Sequence, residues 1–260
     1  MKPALTVIKI GGVIIERAAD LHVFLRQFAE TPGAKLLVHG GGKGASDLLH
    51  ALHLTPQLVH GRRVTDAATL DVVTMFYAGK TNKQLVAALH PMGVNALGLS
   101  GADGNAIRAV KRPVHEVDYG FVGDLTEHSV NVPLLWQLLA GGITPVLCAI
   151  THDGLGQLLN TNADTIAAAV ATALAPHFTV SLHYCFEKKG VLLDVNNDES
   201  VIAQLTPNDY ARLKQQGIIA DGMLPKLDNA FAALAAGVDT VIIGHALHLR
   251  GPHQTTLCRN

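Results

Sequence analysis

A chain of 260 residues, 48% apolar and only 16% charged, can bury one large core or two modest ones, which argues against intrinsic disorder. Twenty basic and 21 acidic side chains leave a formal charge of −1, without the basic excess of a nucleic-acid-binding surface. The first apolar run is too short for a signal peptide, Pro133, Gly141, Gly142 and Pro145 break the longest uncharged stretch, and three scattered cysteines make no disulfide framework. A cytoplasmic protein with reduced thiols, bound neither to membrane nor to nucleic acid, is therefore expected.

Short apolar runs alternate with amphipathic stretches. Residues 5–10 read as a strand, 18–30 as a helix with Leu21, Phe24, Leu25 and Phe28 at helical spacing, and 35–38 as a second strand leading into a helix over 43–52. The spacing predicts helix over most of 67–89, a strand at 95–99, hairpins or loops near 111–124, a helix at 133–139 and a strand at 145–150. An alanine-rich helix over 165–175 stops at Pro176, and a strand follows at 180–185. After a loop over 194–200, helices at 207–216 and 225–236 and a strand at 238–243 close the series. Such alternation implies an α/β fold, an open αβα sandwich around a mainly parallel sheet. A seam near Pro176 divides the chain into lobes 1–176 and 177–260.

In open α/β sheets, ligands gather at the carboxyl ends of the strands. Lys9-Ile10-Gly11-Gly12 puts an ammonium beside glycine backbone, which suits a polyanion, or equally a lysine reaching water from a strand end. His39-Gly40-Gly41-Gly42-Lys43-Gly44-Ala45 follows a strand and opens a helix, so an anion site outweighs a mere packing turn. It also fits the dinucleotide pattern G-x-G-x-x-A, although no acidic residue ends the next clear strand. Asn162 suits a helix cap and Asp164 a first helical turn, while Asn160 is left over to hold a carboxylate or carbonyl. Lys226, behind Pro225, opposes the helix dipole, which hints at a task, the competing reading being a simply solvent-exposed lysine. Arg63 could grip a carboxylate through two parallel bonds, or belong to a solvated loop with Asp66 capping the next helix.

Taken in order, K-I-G-G (9–12), H-G-G-G (39–42), G-R-R-V-T (61–65), A-L-G-L-S-G-A-D-G-N (96–105), N-T-N-A-D (160–164) and D-G-M-L-P-K (221–226) resemble the motifs of the amino acid kinase family, across nearly the whole chain. The resemblance implies phosphoryl transfer from MgATP to the side-chain carboxylate of an acylated glutamate, with the magnesium held mainly by phosphates and water. It implies catalytic roles for Lys9, Lys226 and Asp164, and acceptor contacts from Gly41, Gly42, Arg63 and Asn160. It further implies phosphate or nucleotide contacts from Gly11, Gly12, Glu187, Gly190 and Asp221. The N-terminal lobe would bind the acceptor and form a homodimer interface, and the C-terminal lobe would bind ATP. Glu187 stands where many members carry Asp, with Lys188 and Lys189 beside it, so a solvated hairpin is the competing reading there. The acyl group, acetyl or succinyl, stays open. Met75, Phe76 and Tyr77 could line its pocket or simply pack in the core. A first strand starting near residue 5 leaves no room for the extra N-terminal helix of arginine-inhibited members, so an arginine-insensitive homodimer is expected. The rival readings are a non-catalytic sensor and a nicotinamide-dependent oxidoreductase.

Overall fold

The computed structural model describes residues 1–59, 61–219, 223–249, 251 and 254–259. Its first strand, β1 (Ala4–Ile10), shows why a parallel sheet forms. Leu5 and Val7 enter one core and Ile8 and Ile10 the other, so both faces need cover.

The chain continues through α1 (Gly12–Glu16), α2 (Ala18–Ala29), β2 (Ala34–His39) and α3 (Gly42–Ala51). A small hairpin, β3 (Leu58–Val59) and β4 (Arg62–Arg63), leads to α4 (Ala67–Thr74), a π-helical turn over Met75–Thr81, and α5 (Asn82–Leu89). Next come β5 (Ala96–Leu99), the hairpin strands β6 (Val110–Lys111) and β7 (Gly123–Asp124), α6 (Val132–Ala140) and β8 (Thr144–Cys148). A further hairpin, β9 (Ile150–His152) and β10 (Leu158–Asn160), precedes α7 (Ala163–Leu174) and β11 (Thr179–Phe186). The last elements are β12 (Gln204–Leu205), α8 (Pro207–Gln215), α9 (Leu224–Ala235), β13 (Thr240–His245) and β14 (Gln254–Leu257).

Eight strands form one sheet in the order β12-β14-β13-β11-β1-β2-β8-β5, parallel except between β13 and β14. One face is covered by α7 and α9, whose Ala167, Ala171, Ala230 and Ala233 allow close approach, together with residues of α4 and α6. The other face carries α2 and α5 through Phe24, Phe28, Leu85 and Leu89. The expected αβα layering around a mainly parallel sheet is therefore the one observed. Sequence on either side of Pro176 shares this sheet, because β11 pairs along the whole of β1.

Three expectations need correction. The strand expected over 145–150 ends at Cys148, and the chain then turns into a separate hairpin, β9–β10, a break hidden because the apolar run is unbroken. The strand near 238–243 does not close the series: β14 follows and pairs antiparallel with it, burying only Thr255 and Leu257 and so giving a weak pattern. The short helix α1 was not expected at all. Among the described residues, no helix is long and apolar enough to cross a membrane.

Candidate active site

The strand period places Lys9 on the same face as Leu5 and Val7, the face that α7 covers. Its ammonium Nζ lies 2.8 Å from Asp164 Oδ1, and that of Lys226 lies 2.8 Å from Asp164 Oδ2. The carboxylate is fixed from below by its own helix start. Asn162 caps α7 by accepting from the backbone N–H groups of Asp164 (2.8 Å) and Thr165 (3.1 Å), and Tyr184 donates its hydroxyl to the Asp164 carbonyl at 3.1 Å. Burial works against the Asp164 charge, but the two ammoniums outweigh it and hold its carboxyl down at about 2. One carboxylate between two lysines leaves a surplus positive charge.

The glycine loop approaches from β2. His39 is fully buried, and burial pushes its imidazole down to about 4, so the ring is neutral. Its Nδ1 lies 2.9 Å from the Gly40 carbonyl and its Nε2 lies 3.0 Å from Asn82 Nδ2. The network fits one tautomer, in which Nδ1–H donates to Gly40 and Nε2 accepts from Asn82. Gly41 caps α3 at φ +149°, a region that favours glycine. A Cβ on Gly12 would lie 3.4 Å from the Gly42 nitrogen, so the two glycine turns abut.

Arg63 is buried beside this loop. Its Nη2 donates to the Gly42 carbonyl (2.8 Å) and to Ser46 Oγ (2.7 Å), while its buried Nη1 has no partner. A buried guanidinium N–H in that state calls for an acceptor from a ligand. Asn160, at the end of β10, donates to Thr65 Oγ1 at 3.1 Å. Lys9, Gly12, Gly41, Gly42, Arg63, Asn160 and Asp164 line one cleft of about 220 Å³, whose cationic lining also includes Arg62 and Arg112. Such a cleft can receive a dianionic acid with one carboxylate at Arg63 and the other beside the lysines.

The amino acid kinase family pattern matches residues 4–245. The chain belongs to the amino acid kinase family. It is 55% identical to the acetylglutamate kinase of Phocaeicola vulgatus over 94% of each chain, and 53% identical to that of Bacteroides fragilis over 96% of each. Its fold matches that of the N-acetylglutamate synthase of Neisseria gonorrhoeae with a TM-score of 0.84 at 22% identity, over 99% of this chain and 60% of that one.

Other residues singled out by the family resemblance lie elsewhere. Gly11 does not line the cleft, and its N–H already donates to the Cys185 carbonyl at 3.1 Å. Gly190 is packed against β14, where a Cβ would lie 2.6 Å from Thr255 Oγ1, so close packing accounts for the glycine. Glu187 is exposed and off the cleft lining. Lys188 pairs with Asp198 at 2.8 Å and Lys189 with Glu199, which ties both charges to the 194–200 loop. Asp221 lies outside the described residues. Of the three candidate pocket residues, Tyr77 lines the cleft, Phe76 faces the glycine loop from outside it, and Met75 is exposed.

Sequence reasoning missed Arg112, which lines the cleft and binds both Asp124 carboxylate oxygens through Nε at 3.1 Å. The two residues are joined by the β6–β7 hairpin. The basic Lys111-Arg112 pair opposite Asp124 was the available signal, but two-residue strands have no period from which to read their register. Leu58 and Val122 complete the cleft's apolar wall.

Proposed function

We propose that the chain transfers the γ-phosphoryl group of ATP to the side-chain carboxylate of N-acetyl-L-glutamate, giving N-acetyl-L-glutamyl 5-phosphate and ADP, as part of arginine biosynthesis. The observation that carries this reading is the Lys9–Asp164–Lys226 triad, whose Lys9 and Asp164 line one cleft together with Arg63 and its unpartnered Nη1. The relatives named above support the acceptor.

A carboxylate oxygen attacks the γ-phosphorus, the bond to the β–γ bridging oxygen breaks, and ADP leaves with that bonding pair. The acceptor is already ionised at neutral pH, so no general base is needed. Charge spreads over the equatorial phosphoryl oxygens in the transition state, and positioning with electrostatic stabilisation does most of the work. Lys9 and Lys226 meet that charge with ammoniums, and Gly41 and Gly42 offer loop and helix-start N–H groups. Asp164 keeps the ammoniums a fixed distance apart. Arg63 and Asn160 hold the α-carboxylate end, while Tyr77, Leu58 and Val122 border the acyl group.

Among the described residues, no group of three His, Cys, Asp or Glu side chains converges on a metal site, and the buried Asp164 is closed by two lysines. This donor set suits a magnesium ion that arrives on the nucleotide phosphates with water completing its shell. When bound, that ion neutralises phosphate charge.

Residues 1–176 take the acceptor in this reading, and 177–260 take ATP, with Lys226 on the nucleotide side. A cytoplasmic homodimer belongs to the same reading. The edge strand β5, with Leu97 exposed, offers a second copy an open edge.

The deciding experiment traps the acyl phosphate with hydroxylamine in the presence of MgATP. N-acetyl-L-glutamate and N-succinyl-L-glutamate are supplied side by side. Preferential turnover of the acetyl compound is expected. Preference for the succinyl compound would reassign the acyl group, and failure with both in a protein that binds MgATP would overturn the acceptor. Arg63→Ala should raise KM for the acceptor about 10- to 100-fold, the worth of a charge-assisted forked hydrogen bond. A normal KM in steady-state assays would move the α-carboxylate elsewhere.

A further inference from the structure

The helix over residues 67–89 runs from α4 into α5 but widens over Met75–Thr81 into a π-helical turn, closed by bonds to the fifth residue rather than the fourth. The reading above uses only Tyr77 of this turn, as a wall for the acyl group, and gives Phe76 no part. A wider turn separates successive side chains by less than the roughly 100° of an α-helix, so two neighbours can face one target. Here both neighbours are aromatic, and the target is the glycine loop. A Cβ on Gly44 would collide with Phe76 Cζ and lie 2.9 Å from its Cε1. A Cβ on Gly41 would lie 3.1 Å from Tyr77 Cδ1 and 3.2 Å from Phe76 Cε1. The two rings stand nearly perpendicular, at 77° with centroids 6.4 Å apart, and Lys80 Nζ sits 5.2 Å from the Phe76 centroid.

The tip of the Phe76 ring thus stands against Gly44, which has no side chain to spare. On another side, the same helix grips the loop through Asn82, the first residue of α5, which bonds His39 Nε2 while His39 Nδ1 holds Gly40. Asn82 also donates to the Val146 carbonyl at 2.9 Å, which ties this grip to β8.

We infer that Phe76 is a positioning residue for phosphoryl transfer: presented by the wide helical turn, its ring tip sets the height of the Gly41–Gly44 backbone over the cleft. It touches neither substrate. Its effect passes through the loop N–H groups, whose aim at the transferring phosphoryl oxygens decides the rate, since a shift of about 1 Å can cost about 100-fold. The reaction served rests on the kinase reading above, whereas the contact does not.

Phe76→Tyr is the most telling variant, because it adds one oxygen at the ring tip that stands against Gly44. Phe76→Leu removes the tip. Each is assayed for acceptor-dependent ADP formation and examined by NMR with ¹⁵N-glycine labelling. For Phe76→Tyr, kcat should fall about 10- to 100-fold with KM for N-acetyl-L-glutamate within about threefold. The Gly41, Gly42 and Gly44 amide resonances should move while those of Gly237 and Gly244 stay. Phe76→Leu should move the same loop resonances with a smaller loss of kcat. Wild-type kcat in Phe76→Tyr would overturn the inference, as would unmoved loop resonances or a fall in kcat matched by a rise in KM. Should the wild-type protein turn over no acceptor, the kinase reading fails instead, and the loop resonances of both variants still decide whether Phe76 sets the loop.

Discussion

Lys226→Ala should lower kcat about 100- to 1,000-fold while leaving KM for ATP and for the acceptor within about threefold. The lysine sits in the first turn of α9, where a cation opposes the helix dipole, so fold stability gives no reason for it to be there. Its ammonium reaches the buried Asp164 at 2.8 Å, yet Asp164 keeps Lys9 as a second partner when Lys226 is removed. Asp164 stays paired with Lys9, so the loss of thermal stability should be smaller than that of Asp164→Asn. The contribution lost is the one that grows as charge spreads onto the transferring phosphoryl group. Lys9→Ala should behave in the same way, from the other side of the carboxylate. Steady-state kinetics alongside thermal unfolding makes the separation, and an unchanged kcat in either variant would remove that lysine from the chemistry.

Asp164→Asn strikes both activity and stability. It leaves two ammoniums converging on a neutral amide, in a site where Lys9 is only 12% exposed and Lys226 27%. Breaking a fully buried ion pair costs about 3–5 kcal/mol, and the partial exposure of Lys226 reduces this to about 2–3 kcal/mol. For a chain of this size that is about 5–10 °C in Tm. The acid response gives a second signature. Because its carboxyl is held at about 2, against an ordinary 3.8, Asp164 contributes stability that is fully present above pH 4 and lost as pH falls through 2. That contribution amounts to about 2 kcal/mol, and the variant lacks it. Denaturant melts at pH 6 and near pH 2 should therefore show the stability gap between wild type and Asp164→Asn narrowing with acid. Parallel curves would mean that the lysines do not depress the carboxyl.

Much of the site was legible because its chief residues lie where one element ends and another begins. Lys9 closes an apolar strand, Asp164 opens a capped helix and Lys226 follows a helix-starting proline; each position stands out locally. What the sequence could not convey was that the three meet, since 155 residues separate Lys9 from Asp164 and 62 separate Asp164 from Lys226. The glycines were only partly readable. Gly41 and Gly42 line the cleft, but Gly11 has its N–H already bonded and Gly190 exists to let β14 approach, and a glycine looks alike in all three settings. Arg112 escaped because a two-residue strand pair has no periodicity. The widened turn at Met75–Thr81 escaped because apolar spacing across 67–89 reads as ordinary helix on either side of it.

Strand β1 lies between β2, which follows it closely, and β11, which begins at Thr179. During synthesis at about 5–20 residues per second, roughly 10–30 s pass between the emergence of β1 and that of its second neighbour. Through that interval Ala-Leu-Thr-Val-Ile-Lys-Ile can have only one edge paired, and an apolar strand with a bare edge is a template for intermolecular association. Lys9 is the only charge in that segment. The ammonium that later pairs with Asp164, and is proposed to meet the phosphoryl group, is thus also a gatekeeper that discourages unfinished chains from pairing with one another.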